Sequence, residues 1–249
     1  MGKVFLVGAG PGAPDLLTLR AAEVLKRADI VFHDALVHPD TIALAANAVR
    51  VAVGKRSGRH STAQRFINKR LVDAAQKYCV VVRLKGGDPM LFGRAHEELT
   101  VLREAGIDWE IVPGVTAALA ASAELGAPLT RRGVARSVAF LTPRVGDGER
   151  PNAWARVARA ADTSVIYMGA GEAETIAAML AAEGMAASTP VVVVENASLP
   201  NARRIKLTLD DLARISELDL SGPAIIFIGE TCADADAEML PASARAQYA

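Results

Sequence analysis

VVVRLKGGDPMLFGR, residues 80–94, runs a β-branched segment straight into Gly86-Gly87-Asp88-Pro89. Val80 to Val82 favour an extended strand, Pro89 blocks its continuation, and the two glycines let the backbone come close to a ligand. Asp88 is left as an acceptor. A tight structural turn and a binding loop fit these four residues equally well, so the neighbouring segments have to decide between them.

Working outward, strand-like runs alternate with amphipathic segments. Val4–Val7, Ile30–His33, Val49–Val53, Val80–Leu84 and Glu110–Val112 read as strands, with helical spacing of apolar residues in Leu16–Arg27 and Ala63–Lys77. Such βα alternation predicts a mainly parallel sheet. A more mixed series follows Pro113-Gly114, with strands expected at Ser137–Leu141, Ser164–Met168, Val191–Glu195, Arg204–Leu207 and Ala224–Ile228, and helices at Glu172–Glu183 and Asp210–Arg214. The expected fold class is α/β, as two α/β domains over residues 1–118 and 119–249 with a ligand cleft between them. Their join is expected near Val115–Ala123, and Arg144–Asn152, rich in Gly, Pro and charge, reads as a mobile loop.

Composition narrows the function. The 249 residues are 51% hydrophobic but only 4% aromatic, so the core has to be built from Ala, Val, Leu and Ile. Apolar runs stay well short of the roughly 20 residues of a membrane span, and Met1-Gly2-Lys3 leads into a strand without a signal-peptide pattern. A cytoplasmic protein with no membrane partner is expected. Cys79 and Cys232 lack partners at ligand spacing, which points away from a disulfide framework and from a zinc site, and Cys79 reads as a core residue. Zero formal net charge argues against nucleic acid. The charges are nonetheless uneven. Thr41–Val72 contains no Asp or Glu but holds Arg50, Lys55, Arg56, Arg59, Arg65, Lys69, Arg70 and His60, and Leu125–Gly146 is also acid-free, with Arg131, Arg132, Arg136 and Arg144. Basic segments in a neutral chain suit a site that focuses an anionic ligand. Arg65, Lys69 and Arg70, spaced along one helix face, read instead as a solvated surface.

GAGPGAP, Gly8 to Pro14, follows the first strand and fits the looser GxGxxA dinucleotide pattern, with Asp34 placed as a ribose-binding acid would be. Against a dinucleotide site, the proline-rich turn delays the helix, whose N-terminus then cannot meet a pyrophosphate directly after the glycines. That reading also leaves GGDP and the later Pro113-Gly114-Val115-Thr116-Ala117 turn unexplained. Three glycine-bearing loops, each after a parallel strand, would instead line one carboxyl edge and hold a compact ligand through backbone contacts.

VGAGPGAPDLLTLRAAEVLKRADIVFHDALV, VGKRSGRHS, RLKGGDPMLFGRAHEE, VPGVTAALAASAELGAPLT and VIYMG together resemble, in order and spacing, the tetrapyrrole methylases, over roughly Gly2 to Gly229. VGKRxGxHS with RLKGGDP and FGR resembles the branch that methylates uroporphyrinogen III at two carbons to give precorrin-2, ahead of cobalamin and sirohaem. The resemblance implies S-adenosyl-L-methionine as donor, leaving as S-adenosyl-L-homocysteine, a small-molecule tetrapyrrole as acceptor, and a homodimer. It assigns donor contacts to Pro11, Gly86, Gly87, Asp88, Leu91, Thr116, Ala117, Met168 and Ala197. Met168 fits a strand-end core residue equally well.

The same resemblance makes Asp34 the proton acceptor and Lys55 the proton donor. From the residues alone, Asp34 also suits a turn acid and Lys55 a carboxylate-binding cation that stays charged at neutral pH. Arg56, Arg59, His60, Arg94, Arg131 and Arg132 are candidates for the acceptor's carboxylates. Three departures from the family pattern, Arg131 in PLTRR, Arg144 in TPR and His96 in FGRAHEE, fall on the acceptor side. A later precorrin methylase, a dinucleotide-dependent oxidoreductase and a catalytically silent tetrapyrrole-binding protein are the rival readings.

Overall fold

A computed structural model describes residues 1–53, 60–146 and 153–240, with side chains excluded at 60–63. The chain divides into two units, Met1–Ala117 and Ala118–Ala249.

The first unit is a parallel α/β sheet. Its strands are β1 (Lys3–Gly8), β2 (Ile30–His33), β3 (Val49–Ala52), β4 (Val80–Lys85) and β5 (Trp109–Val112), and its helices are α1 (Leu19–Lys26), α2 (Pro39–Ala43), α3 (His60–Ala75) and α4 (Ala95–Glu104). The order β3-β2-β4-β1-β5 sets the ends of β4, β1 and β5 side by side. Both faces are covered. Val4, Leu6, Ile30, Phe32 and Val81 pack with residues of α3 and α4 on one side, and Phe5, Val7, Val31, Val82 and Leu84 with α1 on the other. Double burial is why these strands read as near-continuous apolar runs.

Helix α5 (Ala117–Glu124) begins on the last residue of the first unit, and the second unit continues through β6 (Val138–Leu141), α6 (Trp154–Ala160), β7 (Thr163–Tyr167), α7 (Ala173–Ala182), β8 (Pro190–Glu195), β9 (Arg203–Thr208), β10 (Ala224–Ile228) and β11 (Glu238–Met239). Its sheet, ordered β11-β9-β8-β10-β7-β6, is mixed: β10 is antiparallel to both β7 and β8, while β6 and β7 are parallel. The α/β class with two sheets is as expected.

The differences have local causes. Helix α1 begins three residues later than the apolar spacing suggested, because Pro14–Leu16 forms a separate 3-10 turn and the Thr18 hydroxyl caps Ala21 N–H at 3.2 Å. The helix expected at Asp210–Arg214 is a 3-10 segment, Leu212–Leu218. Cys79 is exposed, correcting its reading as core: it sits one residue before β4, and Cys232 is the buried thiol. Burial pushes the Cys232 thiol up to about 12. Among the described residues no helix is long and apolar enough to cross a membrane. The Arg65, Lys69 and Arg70 face is solvated as expected, with Lys69 paired to Asp73 at 2.6 Å and Arg70 over the Phe66 ring. Of the proposed mobile loop, residues 147–152 lie outside the described residues.

Candidate functional site

The three glycine loops of the first unit meet in one backbone surface. Gly10 and Gly87 form a two-way bridge, Gly87 N–H donating to the Gly10 carbonyl at 2.7 Å and Gly10 N–H to the Gly87 carbonyl at 3.3 Å. A Cβ on Gly8 would lie 2.6 Å from Gly114 Cα, and one on Gly114 would collide with the Gly87 carbonyl oxygen, so both positions require glycine for close approach. Asp88 ties the third loop down. One carboxylate oxygen accepts from Gly114 N–H at 2.9 Å and the other from Met90 N–H at 2.8 Å.

Gly86 differs from these. Its nearest neighbour to a built Cβ is Leu36 Cβ at 3.6 Å, an ordinary contact, and its backbone φ is outside the left-handed range. Internal packing does not demand glycine there. An exposed glycine at a strand end leaves room for a ligand to lie against the backbone, and Gly87, with φ +66° and Thr116 Cα 4.0 Å from its Cβ position, extends the same surface. This cradle fits a compact donor such as S-adenosylmethionine. Leu91 is half-buried beyond it, and Phe92 and Arg94 hold left-handed backbones at φ 53° and 54°, the kind of local strain that gathers at ligand loops.

Behind this surface lies a feature that the sequence reading missed. Arg83 and Lys85, 2% and 4% exposed, project from the same face of β4 toward Glu98 on α4, which is fully buried. Arg83 donates to Glu98 at 2.9 Å and, from its far nitrogen, to the Asp34 carboxylate at 2.5 Å, while Lys85 lies 3.1 Å from both Glu98 oxygens. Burial works against the Arg83 charge, yet Asp34 and then Glu98 outweigh it and raise its pKa. Lys85 moves the other way: burial first, then repulsion from Arg83, hold its ammonium pKa below the ordinary value despite Glu98. The available signal was two cations at i and i+2 in a strand assigned to a mainly parallel sheet, an arrangement whose strands are ordinarily covered on both faces.

Asp34 follows β2 and keeps about 30% of its side chain exposed, while the buried Arg83 guanidinium grips its carboxylate. Arg94 forms a two-point pair with Glu97 at 2.6 and 2.9 Å. Lys55, Arg56 and Arg59 lie outside the described residues; His60 opens α3, and its side chain is likewise outside them.

In the second unit, Met168 and Ala197 stand just beyond the ends of β7 and β8, strands that run in the same direction because β10 is antiparallel to each. Met168 is 43% exposed with φ 58°, unlike a core residue, and Ala197 is buried between left-handed Asn196 and Ser198. Arg131 pairs with Asp234 at 2.8 Å, and Arg132 is exposed. Pro11, Thr116 and Ala117 are half-buried.

The dinucleotide alternative is not favoured by this geometry, since α1 starts at Leu19, separated from Gly12 by the 3-10 turn.

Comparison with known proteins gives consistent matches. The uroporphyrinogen-III C-methyltransferase of Pseudomonas aeruginosa is 46% identical over 244 residues, covering 98% of this chain and 99% of that one. A siroheme synthase of Zymomonas mobilis is 44% identical over 92% of this chain, which spans about half of that longer protein. Among solved structures, uroporphyrin-III C-methyl transferase from Thermus thermophilus complexed with S-adenyl homocysteine shares 40% identity at a TM-score of 0.79, over 92% of this chain and 98% of that one. The model of the tetrapyrrole (corrin/porphyrin) methylases matches residues 3–213, and with the end-to-end relative it shows that the chain belongs to that family.

Proposed function

We propose that the protein transfers methyl groups from S-adenosyl-L-methionine to two carbons of uroporphyrinogen III, giving precorrin-2 for cobalamin or sirohaem synthesis. The observation that carries this reading is the glycine cradle at Gly86 and Gly87, whose open Cβ positions suit a donor held against backbone. The Pseudomonas relative supports the choice of acceptor, and the Thermus relative's S-adenyl homocysteine supports the donor. A cytoplasmic homodimer belongs to the same proposal.

When bound, S-adenosylmethionine supplies an electrophilic methyl group. The chain's own residues position, neutralise and move protons. Pro11, Gly86, Gly87, Asp88, Leu91, Thr116 and Ala117 would hold the donor, with Met168 and Ala197 as further contacts. Asp88 would act mainly by fixing the loops, its oxygens already accepting from Gly114 and Met90. Carbon methylation of an electron-rich pyrrole leaves a proton to be removed from a neighbouring position, and Asp34 is the proposed acceptor. Lys55 is the proposed donor. Arg56, Arg59, His60, Arg94, Arg131 and Arg132 would pair with the acceptor's carboxylates; for Arg94 and Arg131 this means exchanging Glu97 and Asp234, both in exposed pairs that are held weakly.

Anaerobic incubation with uroporphyrinogen III and methyl-labelled S-adenosylmethionine tests the proposal. Two labelled methyl groups in the product are expected by mass. Folded protein that binds the donor but leaves uroporphyrinogen III unlabelled refutes the substrate assignment.

A further inference from the structure

We propose that Arg83 is a positioning residue for the Asp34 carboxylate, braced from behind by Glu98 and Lys85, so that the base and the donor loop share one internal anchor. The inference rests on the reading of Asp34 as proton acceptor.

The guanidinium is occupied on every nitrogen. Nε donates to Glu98 at 2.9 Å, one Nη to the Leu84 and Phe32 carbonyls at 3.1 and 3.5 Å, and the other Nη to Asp34 at 2.5 Å. Such a fork fixes orientation as well as charge. Gln64 closes the far side by donating to Glu98 at 3.2 Å and to Asn68 at 2.9 Å, and the neighbouring His33 ring nitrogen lies 3.3 Å from the Asp34 carbonyl. Two cations therefore face two anions.

Stability alone does not account for this quartet, because apolar side chains of similar volume usually serve a core at least as well. Exposure is graded along it instead: Glu98 has none, Arg83 about 3%, and Asp34 about 30% of the side chain. Of the four charged side chains, the carboxylate assigned to chemistry is the one that reaches solvent, the other three being 5% exposed or less. Its other end lies under the donor loop, where the Gly93 Cβ position is 3.1 Å from Lys85 Cε. Displacing a base by about an ångström can cost on the order of a hundredfold in rate, so an anchor of this kind carries catalytic weight without touching substrate.

Arg83→Lys keeps the charge but removes the fork. The expected result is a kcat lowered by about tenfold to a hundredfold, with S-adenosylhomocysteine affinity by calorimetry changed by less than about twofold. In single-turnover transfer of labelled methyl, Asp34→Asn/Arg83→Lys should be no slower than Asp34→Asn, since Arg83 acts through Asp34. Wild-type kcat in Arg83→Lys, or a double variant slower than Asp34→Asn by the full single-variant factor, overturns the proposal. If Arg83→Lys does not fold, Glu98→Gln reads the same linkage from its other end with the same expected and overturning results. Wild-type kcat in Asp34→Asn would remove the base reading itself and this inference with it, an outcome distinct from a silent Arg83→Lys.

Discussion

Strands β4 and β8 are both six residues long, both lie inside their sheets and both share one burial pattern, with a half-buried first residue and five buried ones. They end in opposite charge. β4 closes on Arg83 and Lys85, compensated by Glu98 and Asp34, whereas β8 closes on Glu195, which accepts from Gly222 N–H at 2.6 Å and from Arg203 at 3.2 Å. The buried anion of β8 is used up by neighbouring backbone and by Arg203. The buried cations of β4 reach a partly exposed carboxylate at the edge of the glycine loops. Equal burial thus conceals two arrangements, closing a local turn in one sheet and holding a partly exposed carboxylate, the proposed base, in the other.

The largest effect should come from Glu98→Ala, which leaves Arg83 without its inner partner and removes the carboxylate whose two oxygens lie 3.1 Å from the Lys85 ammonium. A loss of about 3–5 kcal/mol in denaturant unfolding is expected, because uncompensated buried charge is costly. A loss below about 1 kcal/mol would mean that the β4 charges are solvated after all. Glu195→Gln should cost less, about 1.5–3 kcal/mol, since an amide oxygen can still accept from one of the two donors. If it cost as much as Glu98→Ala, the contrast between the strands would collapse.

The glycines sharpen the comparison within the first sheet. Gly114→Ala forces a methyl group against the Gly87 carbonyl and should destabilise by about 1–3 kcal/mol or more. Gly86→Ala should leave unfolding free energy within about 0.5 kcal/mol and still weaken S-adenosylhomocysteine binding at least about tenfold, as a methyl group enters the cradle. Unchanged binding in folded Gly86→Ala would move the donor elsewhere.

The smallest effect concerns pH. Because the folded protein lowers the Lys85 pKa from 10.5, the unfolded chain binds more protons in the interval below 10.5, and stability should rise with pH there. The slope is at most about 1.4 kcal/mol per pH unit. Lys85→Met should lack this rise when unfolding is followed across the alkaline range; an identical slope in both proteins would assign it to another group.

Much of this architecture was legible because period and punctuation agree. The valine run before GGDP, the proline that stops it and the repeated glycine turns marked strand ends without any knowledge of the sheet. The short helices Pro39–Ala43 and Trp154–Ala160 were not legible, since five and seven residues carry too little periodicity, and Glu238–Met239 becomes a strand only by pairing with β9. Gly86 and Gly87 could be nominated from residue type and position, whereas Asp34 was named as a base only through the family resemblance. The Arg83–Glu98 link could not, because an acid fifteen residues downstream looks like any helix-surface glutamate until α4 packs on β4. Cys79 shows the reverse failure: apolar company in sequence suggested burial, and a one-residue offset from the strand exposes it.

The Gly10–Gly87 bridge lies just past the ends of β1 and β4 and is antiparallel although those strands are parallel, joining two loops by main-chain bonds alone. Local fraying would ordinarily let loop amides exchange with deuterium quickly. Here the Gly87 amide, bonded to the Gly10 carbonyl beside the central strands, should share their protection, so the order of the proposed donor cradle should be lost only with cooperative opening of the sheet.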